Sequence, residues 1–376
     1  MQRKLITVHC LLITFHFLVL SCTTQTPPPT QTFLLIYRFN PPAFIEYSAD
    51  FQPVKEIPFS LPPSCSLNNT FPAPLGKFMA IELNCPNGQT VLYLDASPSL
   101  NANSSSISQP VTDSDSHFLA WTSDGEAAYL KINSLGNPQV IRAYADGTRN
   151  ALLINEYTYD ISANPTNEDF TFTFSRGLGD GSELHITQYE IRSAKQLYAD
   201  QFNYISFARW SPDGKQIAFI KIPDTQTPFT VGELWVMDSD GANARKLADA
   251  DAGHGYAANW SPEGKRIAFV VRDNLEDENA NLSSDALISN IFIVNVQTGA
   301  LKRITKFING RAETPLWSPS GNTLTFTVVM DGRMNVFIAD VSDAGMGMPD
   351  PTGSFDPVEI KPLAGGPACC PAWMRK

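Results

Sequence analysis

The chain repeats one motif, and this repeat constrains its fold more than any other feature. The motif is a Trp, a Ser-Pro-Asp-Gly-type turn and an alternating apolar run, as in ARWSPDGKQIAFI at 208–220. Further copies lie at 258–270 and 315–328, a weaker copy lies at 119–132, and another begins at Trp373. Pro at the second turn position and Gly at the fourth suit a type I turn, so each copy predicts a β-hairpin.

Each full unit continues with two more predicted strands. In the best copy these are a third strand at 233–237 and, after the tight turn 238–241, a fourth strand at 244–247. The turn DSDG at 238–241 resembles the opening of a calcium loop, but the later oxygen ligands do not follow it, so we interpret it as a plain turn. Four short antiparallel strands per unit predict an all-β fold.

The spacing of the motif fixes the number of units. Successive Trp residues from Trp210 to Trp373 are 50, 57 and 56 residues apart, whereas Trp121 and Trp210 are 89 apart, a gap that holds about two units. In that gap we place Ile161 at the Trp position, with the turn at 164–167. Residues 72–97 keep the turn glycine and the apolar alternation without the Trp.

Such units must stack on one another, because a single sheet of this size cannot bury both of its faces. The Trp then packs between adjacent sheets, and radial stacking gives a β-propeller. Segments 32–39 and 44–59 look like second to fourth strands, and 369–374 looks like a first strand. Together they would complete one blade and close the ring. The count predicts seven blades, or six if the region around Ile161 is not a blade.

The run WSPDGKQIAFI, followed by GELWVMDSDGANARKL, resembles the WD40-like (PD40) repeat of the TolB-type propeller family. The same repeat occurs in the propeller domains of prolyl-oligopeptidase-type peptidases. The resemblance implies a periplasmic or surface binding module. It departs from TolB in leaving no room for a separate N-terminal domain. Serine-peptidase chemistry is not expected, because the chain has neither a G-x-S-x-G elbow nor length for a hydrolase domain.

The N-terminus predicts export. Residues 1–21 have a basic tip and an apolar run of the length of a secretory signal peptide. Cys22 follows in a context that resembles a bacterial lipoprotein signal, so we expect it to carry a lipid. Residues 22–32, rich in Thr and Pro, then form a tether, and 33–376 form the propeller. The predicted location is the bacterial cell envelope, periplasmic or at the cell surface, with the membrane reached through the lipid only.

Four cysteines remain in the mature domain: Cys65, Cys85, Cys369 and Cys370. An exported chain meets an oxidising compartment, so disulfides are expected, and four cysteines allow three pairings. A vicinal bond between Cys369 and Cys370 would leave Cys65 to pair with Cys85. The formal net charge of −11 disfavours nucleic acid as a partner.

Strand alternation puts the second-to-third and fourth-to-first connections on one face, and the long loops are there. The longest, at 273–289, is acidic. Function commonly lies in variable loops on a rigid scaffold. The candidate residues of this face are His117, Asp249, Asp251, His254, Tyr256, Asp273, Glu276, Asp277 and Glu313.

Two functions are open at this point. The first is a non-enzymatic, monomeric scaffold that binds a protein or glycan through the long-loop face, without a cofactor or metal. The second is a metal-dependent carbohydrate-active propeller, similar to a polyuronide lyase, with His117, His254 and Glu313 at a central pocket. The acidic loop could bind a divalent cation, or it could simply be a solubilising charged loop.

Overall fold

The computed structural model describes residues 32–74, 76, 78–95, 115–134, 137–152, 157–188, 194–251, 257–342 and 358–375. Regular structure in these residues is β-strand apart from two short 3-10 helices, Glu278–Asn281 and Ser284–Ala286. None of the described residues belongs to a helix long and apolar enough to cross a bilayer. The predicted signal peptide, Cys22 and the tether up to residue 31 lie outside the described residues.

The strands follow one another with short connections. Before residue 100 they are β1 (Thr32–Phe39), β2 (Pro42–Tyr47), β3 (Pro53–Pro58), β4 (Ser66–Pro72), β5 (Phe78–Cys85) and β6 (Gly88–Asp95). From 115 to 200 they are β7 (Asp115–Trp121), β8 (Ala127–Ser134), β9 (Asn137–Tyr144), β10 (Arg149–Leu152), β11 (Thr158–Ala163), β12 (Phe170–Phe174), β13 (Ser182–Thr187) and β14 (Lys195–Asp200). From 203 onward they are β15 (Asn203–Trp210), β16 (Gln216–Pro223), β17 (Val231–Asp238), β18 (Arg245–Asp251), β19 (Asn259–Trp260), β20 (Arg266–Arg272), β21 (Ser289–Asn295), β22 (Leu301–Arg303), β23 (Arg311–Trp317), β24 (Thr323–Met330), β25 (Arg333–Asp340), β26 (Ile360–Pro362) and β27 (Ala368–Arg375).

These strands form antiparallel sheets of the predicted kind. Strands β7–β10, β11–β14 and β15–β18 are four-stranded meanders, and β4–β6 are a three-stranded sheet in the described residues. Strands β19–β22 and β23–β26 are two further sets, joined by one parallel pairing of Ser289 with Arg311. The C-terminal strand β27 pairs with β1 and completes the sheet β27-β1-β2-β3. The arrangement is consistent with a β-propeller.

We call the first strand of each set its leading strand: β4, β7, β11, β15, β19, β23 and β27. The leading strand ends in the repeat turn, whose geometry explains its residues. After Trp210, Ser211 N donates to Gln216 O at 2.8 Å and Gly214 N donates to Ser211 O at 2.9 Å. Gly214 has φ +69°, and a Cβ there would lie 2.5 Å from Thr166 Oγ1 of the preceding set. Only glycine fits this turn without displacing its neighbour.

Each repeat Trp connects its sheet to the preceding one. The indole Nε1 of Trp121, Trp210, Trp260 and Trp317 donates to the carbonyl oxygens of Phe71, Ser162, Arg209 and Asn259, respectively, at 2.8–3.1 Å. Arg209 and Asn259 directly precede Trp210 and Trp260, so the bond repeats the same positions from set to set. Trp373 differs: its Nε1 is buried and has no hydrogen-bond partner.

The expected position of Ile161 is wrong by two residues. Asn164 N donates to Asp169 O at 2.8 Å, which is the bond that Ser211 N makes to Gln216 O. Ala163, immediately before Asn164, therefore occupies the Trp position. The apolar residue closest to the turn by size misled the alignment, because the true equivalent is a small alanine. By the same criterion Pro72 occupies the position in β4, since Ala73 N donates to Phe78 O.

The two ends of the described chain share one core. Phe33 and Leu35 of β1 pack with Met374 of β27 and with Met79 and Leu92 of the sheet β4–β6. Cys65 is bonded to Cys85, and Cys369 to Cys370, the pairs named in the sequence analysis. The N-terminal and C-terminal segments are thus packed together by buried side chains as well as by strand pairing.

Candidate functional site

Several residues expected on loops of the long-loop face lie in strands. His117 is inside β7, and Asp249 and Asp251 are the last part of β18. The strands extend further than predicted because alternating burial continues through these polar residues. Asp249 Oδ1 is 2.7 Å from Lys246 Nζ, and Asp251 is 4% exposed. His254 and Tyr256 lie outside the described residues.

The proposed metal ligands have separate surroundings in the described chain. His117 Nε2 lies 3.7 Å from Asp115 Oδ2 and 3.3 Å from Asn133 Nδ2. Glu313 is a buried residue of β23 and accepts a hydrogen bond from Arg311 Nε. Within the described ranges, no group of three or more His, Cys, Asp or Glu side chains could hold a metal ion. The metal-dependent reading of His117, His254 and Glu313 therefore stays a prediction.

The acidic loop at 273–289 has an internal framework. Arg272 is 2% exposed, and its guanidinium donates to the carbonyl oxygens of Asn274, Asp277 and Phe229 and to Asn281 Oδ1. A buried guanidinium needs such acceptors, so these bonds fix the loop around it. Of the predicted acids, Asp277 caps the 3-10 helix at Asn279 N.

The remaining acids of this loop divide into paired and exposed groups. Asp273 is paired with Arg303 and accepts from Asn290 Nδ2 at 2.7 Å. Glu276 is exposed, and Asp285 is 92% exposed at its side chain. The exposed carboxylates make the outer surface of the loop acidic.

Hydrogen bonds join this loop to its neighbours on the same face. Gly179 N and Gly181 N donate to Asp224 Oδ2 at 2.8 and 3.0 Å, and Asp224 N donates to Phe202 O at 2.9 Å. Phe229 N donates to Asn281 O at 3.2 Å. We call the segments 175–181, 200–203, 224–230, 273–288 and 305–310 the loop wall. The last of them is held by Asn290, which bonds the backbone of Phe307.

The loop wall carries unusually exposed apolar side chains. Ile308 is 81% exposed, Phe202 79% and Leu282 70%, and Leu178 and Leu275 are each 54% exposed. Among the described residues, eight of the ten exposed large apolar side chains lie at the long-loop end of the strands: Phe39, Tyr157, Leu178, Phe202, Leu275, Leu282, Ile308 and Met334. Apolar side chains concentrated on one face mark an interaction surface.

A second feature, missed by the sequence analysis, is a cavity of about 390 Å³ between the leading strands. It is lined by Asn69, Thr70, Phe71, Pro72, Phe118, Leu119, Tyr159, Asp160, Ser206, Phe207, Arg209, Ala257, Asn259, Thr314, Leu316 and Pro371. These residues come from β4, β7, β11, β15, β23 and β27, and from the start of the β19 set. Most lie in the middle or later part of their strands, toward the repeat turns and away from the loop wall.

Bulges in the leading strands shape this cavity. The register shifts in all the leading strands except the two-residue β19. Phe207, Thr314 and Cys370 have φ of 57°, 47° and 59°, each three residues before its Trp. A left-handed conformation in a non-glycine residue is uncommon and here recurs at one position. No sequence signal marks it, because the residue type differs at each copy.

Buried acids from neighbouring sheets hold two of these bulges. Glu82 Oε1 accepts from Phe118 N at 2.9 Å, and Asp160 Oδ2 accepts from Ala208 N at 3.0 Å. Burial raises the pKa of Asp160, while the neighbouring Arg209 acts in the opposite direction. Burial also raises the pKa of Tyr159 to about 12, so its hydroxyl stays neutral and donates to Ile205 O at 2.5 Å. These groups give the cavity fixed polar surroundings.

Comparisons with known proteins show similarity at the level of the fold. No family model matches the chain, and no curated protein matches it. A puromycin-hydrolyzing peptidase of Mycobacterium tuberculosis is 12% identical with a TM-score of 0.56, over 87% of this chain and 50% of that one. An oligogalacturonate lyase in complex with manganese is 12% identical with a TM-score of 0.52, over 74% of this chain and 76% of that one. TolB from Acinetobacter baumannii is 16% identical with a TM-score of 0.48, over 89% and 79%.

The chain shares a fold with these solved structures, and its stacked antiparallel sheets identify that fold as a β-propeller. The chain spans half the length of the peptidase. At these identities the likeness concerns the fold alone, and one propeller fold supports many unrelated functions.

Proposed function

We propose that this chain is an exported, lipid-anchored β-propeller that works as a non-enzymatic protein-binding module through its loop wall. The observation that carries the proposal is the set of exposed apolar side chains on hydrogen-bonded loops. Exposure of Leu282 and Ile308 to water is unfavourable, while the framework around Arg272 holds the loop that presents Leu282. A partner that covers these side chains gains apolar burial with little loop ordering.

The chemistry of the wall favours a protein over a glycan as the partner. Aliphatic side chains such as Leu178, Leu282 and Ile308 need apolar surface opposite them. The adjacent carboxylates Glu276 and Asp285 are exposed and match basic side chains at the rim of such a surface. The expected partner is therefore a protein with an apolar patch bordered by Lys or Arg.

We further propose that the sheets form a closed ring of seven blades. The pairing of β27 with β1 supports closure, since one blade then contains both ends of the described chain. The seven leading-strand regions that line one cavity support the count. In this arrangement the cavity lies on the ring axis, and the loop wall covers part of one end.

The binding proposal can be tested with variants at the two ends of the strands. Leu282→Ser with Ile308→Ser removes exposed apolar surface from the wall. Val54→Ser with Leu301→Ser makes the same chemical change at exposed positions of the opposite end and serves as the matched control. Each tagged protein is photo-crosslinked in cells, and the envelope fraction is probed for crosslinked proteins.

We expect a discrete crosslinked protein with the wild type and the control, reduced at least about tenfold with the wall variant. Both variants should melt like the wild type, since the changed side chains are exposed. Equal crosslinking by the wall variant would rule out the loop wall as the binding surface. A product that disappears on glycosidase treatment, with no protein attached, would point to a glycan partner instead.

A further inference from the structure

We propose that the cavity between the leading strands is a binding site for a small amphipathic carboxylate, held by Arg209 with its apolar part against Phe71 and Phe118. The site is separate from the loop wall and does not depend on it. A volume of about 390 Å³ lies within the range of small-ligand pockets.

The charged residues of the lining are Asp160 and Arg209. Arg209 Nη1 bonds Asp160 Oδ1 at 3.3 Å and donates to Ala208 O at 2.6 Å. Its Nε and Nη2 have no hydrogen-bond partner in the described chain, and its side chain is 32% exposed. Both oxygens of Asp160 already accept bonds from Arg209, and Oδ2 also accepts from Ala208 N. The cavity therefore offers spare guanidinium donors, which suit a carboxylate.

The apolar part of the lining suits a flat or ring-shaped group. Phe71 and Phe118 stack with their ring centroids 4.2 Å apart and the planes at 13°. Leu119, Leu316 and Pro371 add aliphatic surface from three other positions of the lining. A ligand that places a ring on this surface and a carboxylate at Arg209 would use both kinds of wall.

The test compares 3-phenylpropionate with its neutral amide, 3-phenylpropanamide, by isothermal titration of the mature chain. We expect saturable binding of the acid and at least about tenfold weaker binding of the amide, because only the acid forms a charge-assisted pair. Equal affinities for the two probes, or no saturable binding of the acid up to about 10 mM, would overturn the proposal.

Variants locate the binding. Arg209→Gln should remove the preference for the acid, and Leu316→Trp should weaken both probes by filling the cavity. Arg149→Gln changes an exposed arginine of β10 and should behave like the wild type. Circular dichroism checks that each variant is folded, and Leu119→Trp replaces Leu316→Trp if the latter is not. Unchanged binding in a folded, filled variant, or a retained preference in Arg209→Gln, would contradict the site; neither result bears on the loop wall.

Discussion

At the scale of single residues, the repeat Trp has a dual role that the sequence alone could not show. The sequence predicted packing between sheets, and the structure adds a hydrogen bond from each indole to the carbonyl just before the equivalent position of the preceding set. That bond depends on register between units, which no local pattern encodes. The same limit explains the misplacement of Ile161, since Ala163 has the right backbone bonds without a large side chain.

The Trp hydrogen bond can be measured by comparing two substitutions. Trp317→Phe leaves the carbonyl of Asn259 without its indole donor, so we expect it to lower the free energy of unfolding by about 1–2 kcal/mol. Trp373→Phe removes an N–H that has no partner, so its cost should be smaller. Urea unfolding of both variants tests the difference. Equal losses would mean that ring packing, and not the hydrogen bond, dominates.

At the scale of elements, the strand pattern was predictable and the strand ends were not. Turn chemistry and alternation predicted the four-stranded units and the joining of the two end segments. Strands β7 and β18 run on through His117 and Asp251, because pairing with a neighbour continues past the last apolar residue. Polar residues at strand ends were therefore mistaken for loop residues.

Strand β27 provides the test at this scale. Deleting residues 369–376 removes the buried Cys369, Ala372 and Met374 and exposes β1, so we expect a loss of more than about 5 kcal/mol or failure to fold. Deleting Lys376 alone is the control and should have little effect. Thermal melting followed by circular dichroism checks this. Unchanged melting of the longer deletion would refute ring closure through β27.

At the scale of the whole molecule, the two proposed sites differ in how visible they are in a sequence. The loop wall consists of long irregular insertions, which the sequence analysis assigned to the correct face. The cavity is built from positions between Asn69 and Pro371, one or a few per unit, whose residue types are not repeated. Such a site appears only when the units are assembled, so sequence reasoning had no motif to find.

The proposed anchor belongs to this scale, because it sets where both sites are presented. Cys22→Ser removes the thiol that would carry the lipid. We expect the variant to move from the membrane fraction to the soluble extracytoplasmic fraction, while the melting temperature of the purified domain stays the same. Immunoblots of fractionated cells give the readout. Retention of the variant in the membrane fraction would exclude a lipid on Cys22 as the anchor.

The set-to-set Trp bond also bears on how many copies such a chain can hold. Each indole refers only to the unit before it, so the stability of the array is a sum of nearest-neighbour interfaces. Duplication or loss of one whole unit would preserve every one of these bonds. The copy number is thus set by the sheet that contains β27 and β1, where Trp373 makes no such bond. Evolutionary change in ring size should leave the repeat intact and appear as substitutions in that sheet.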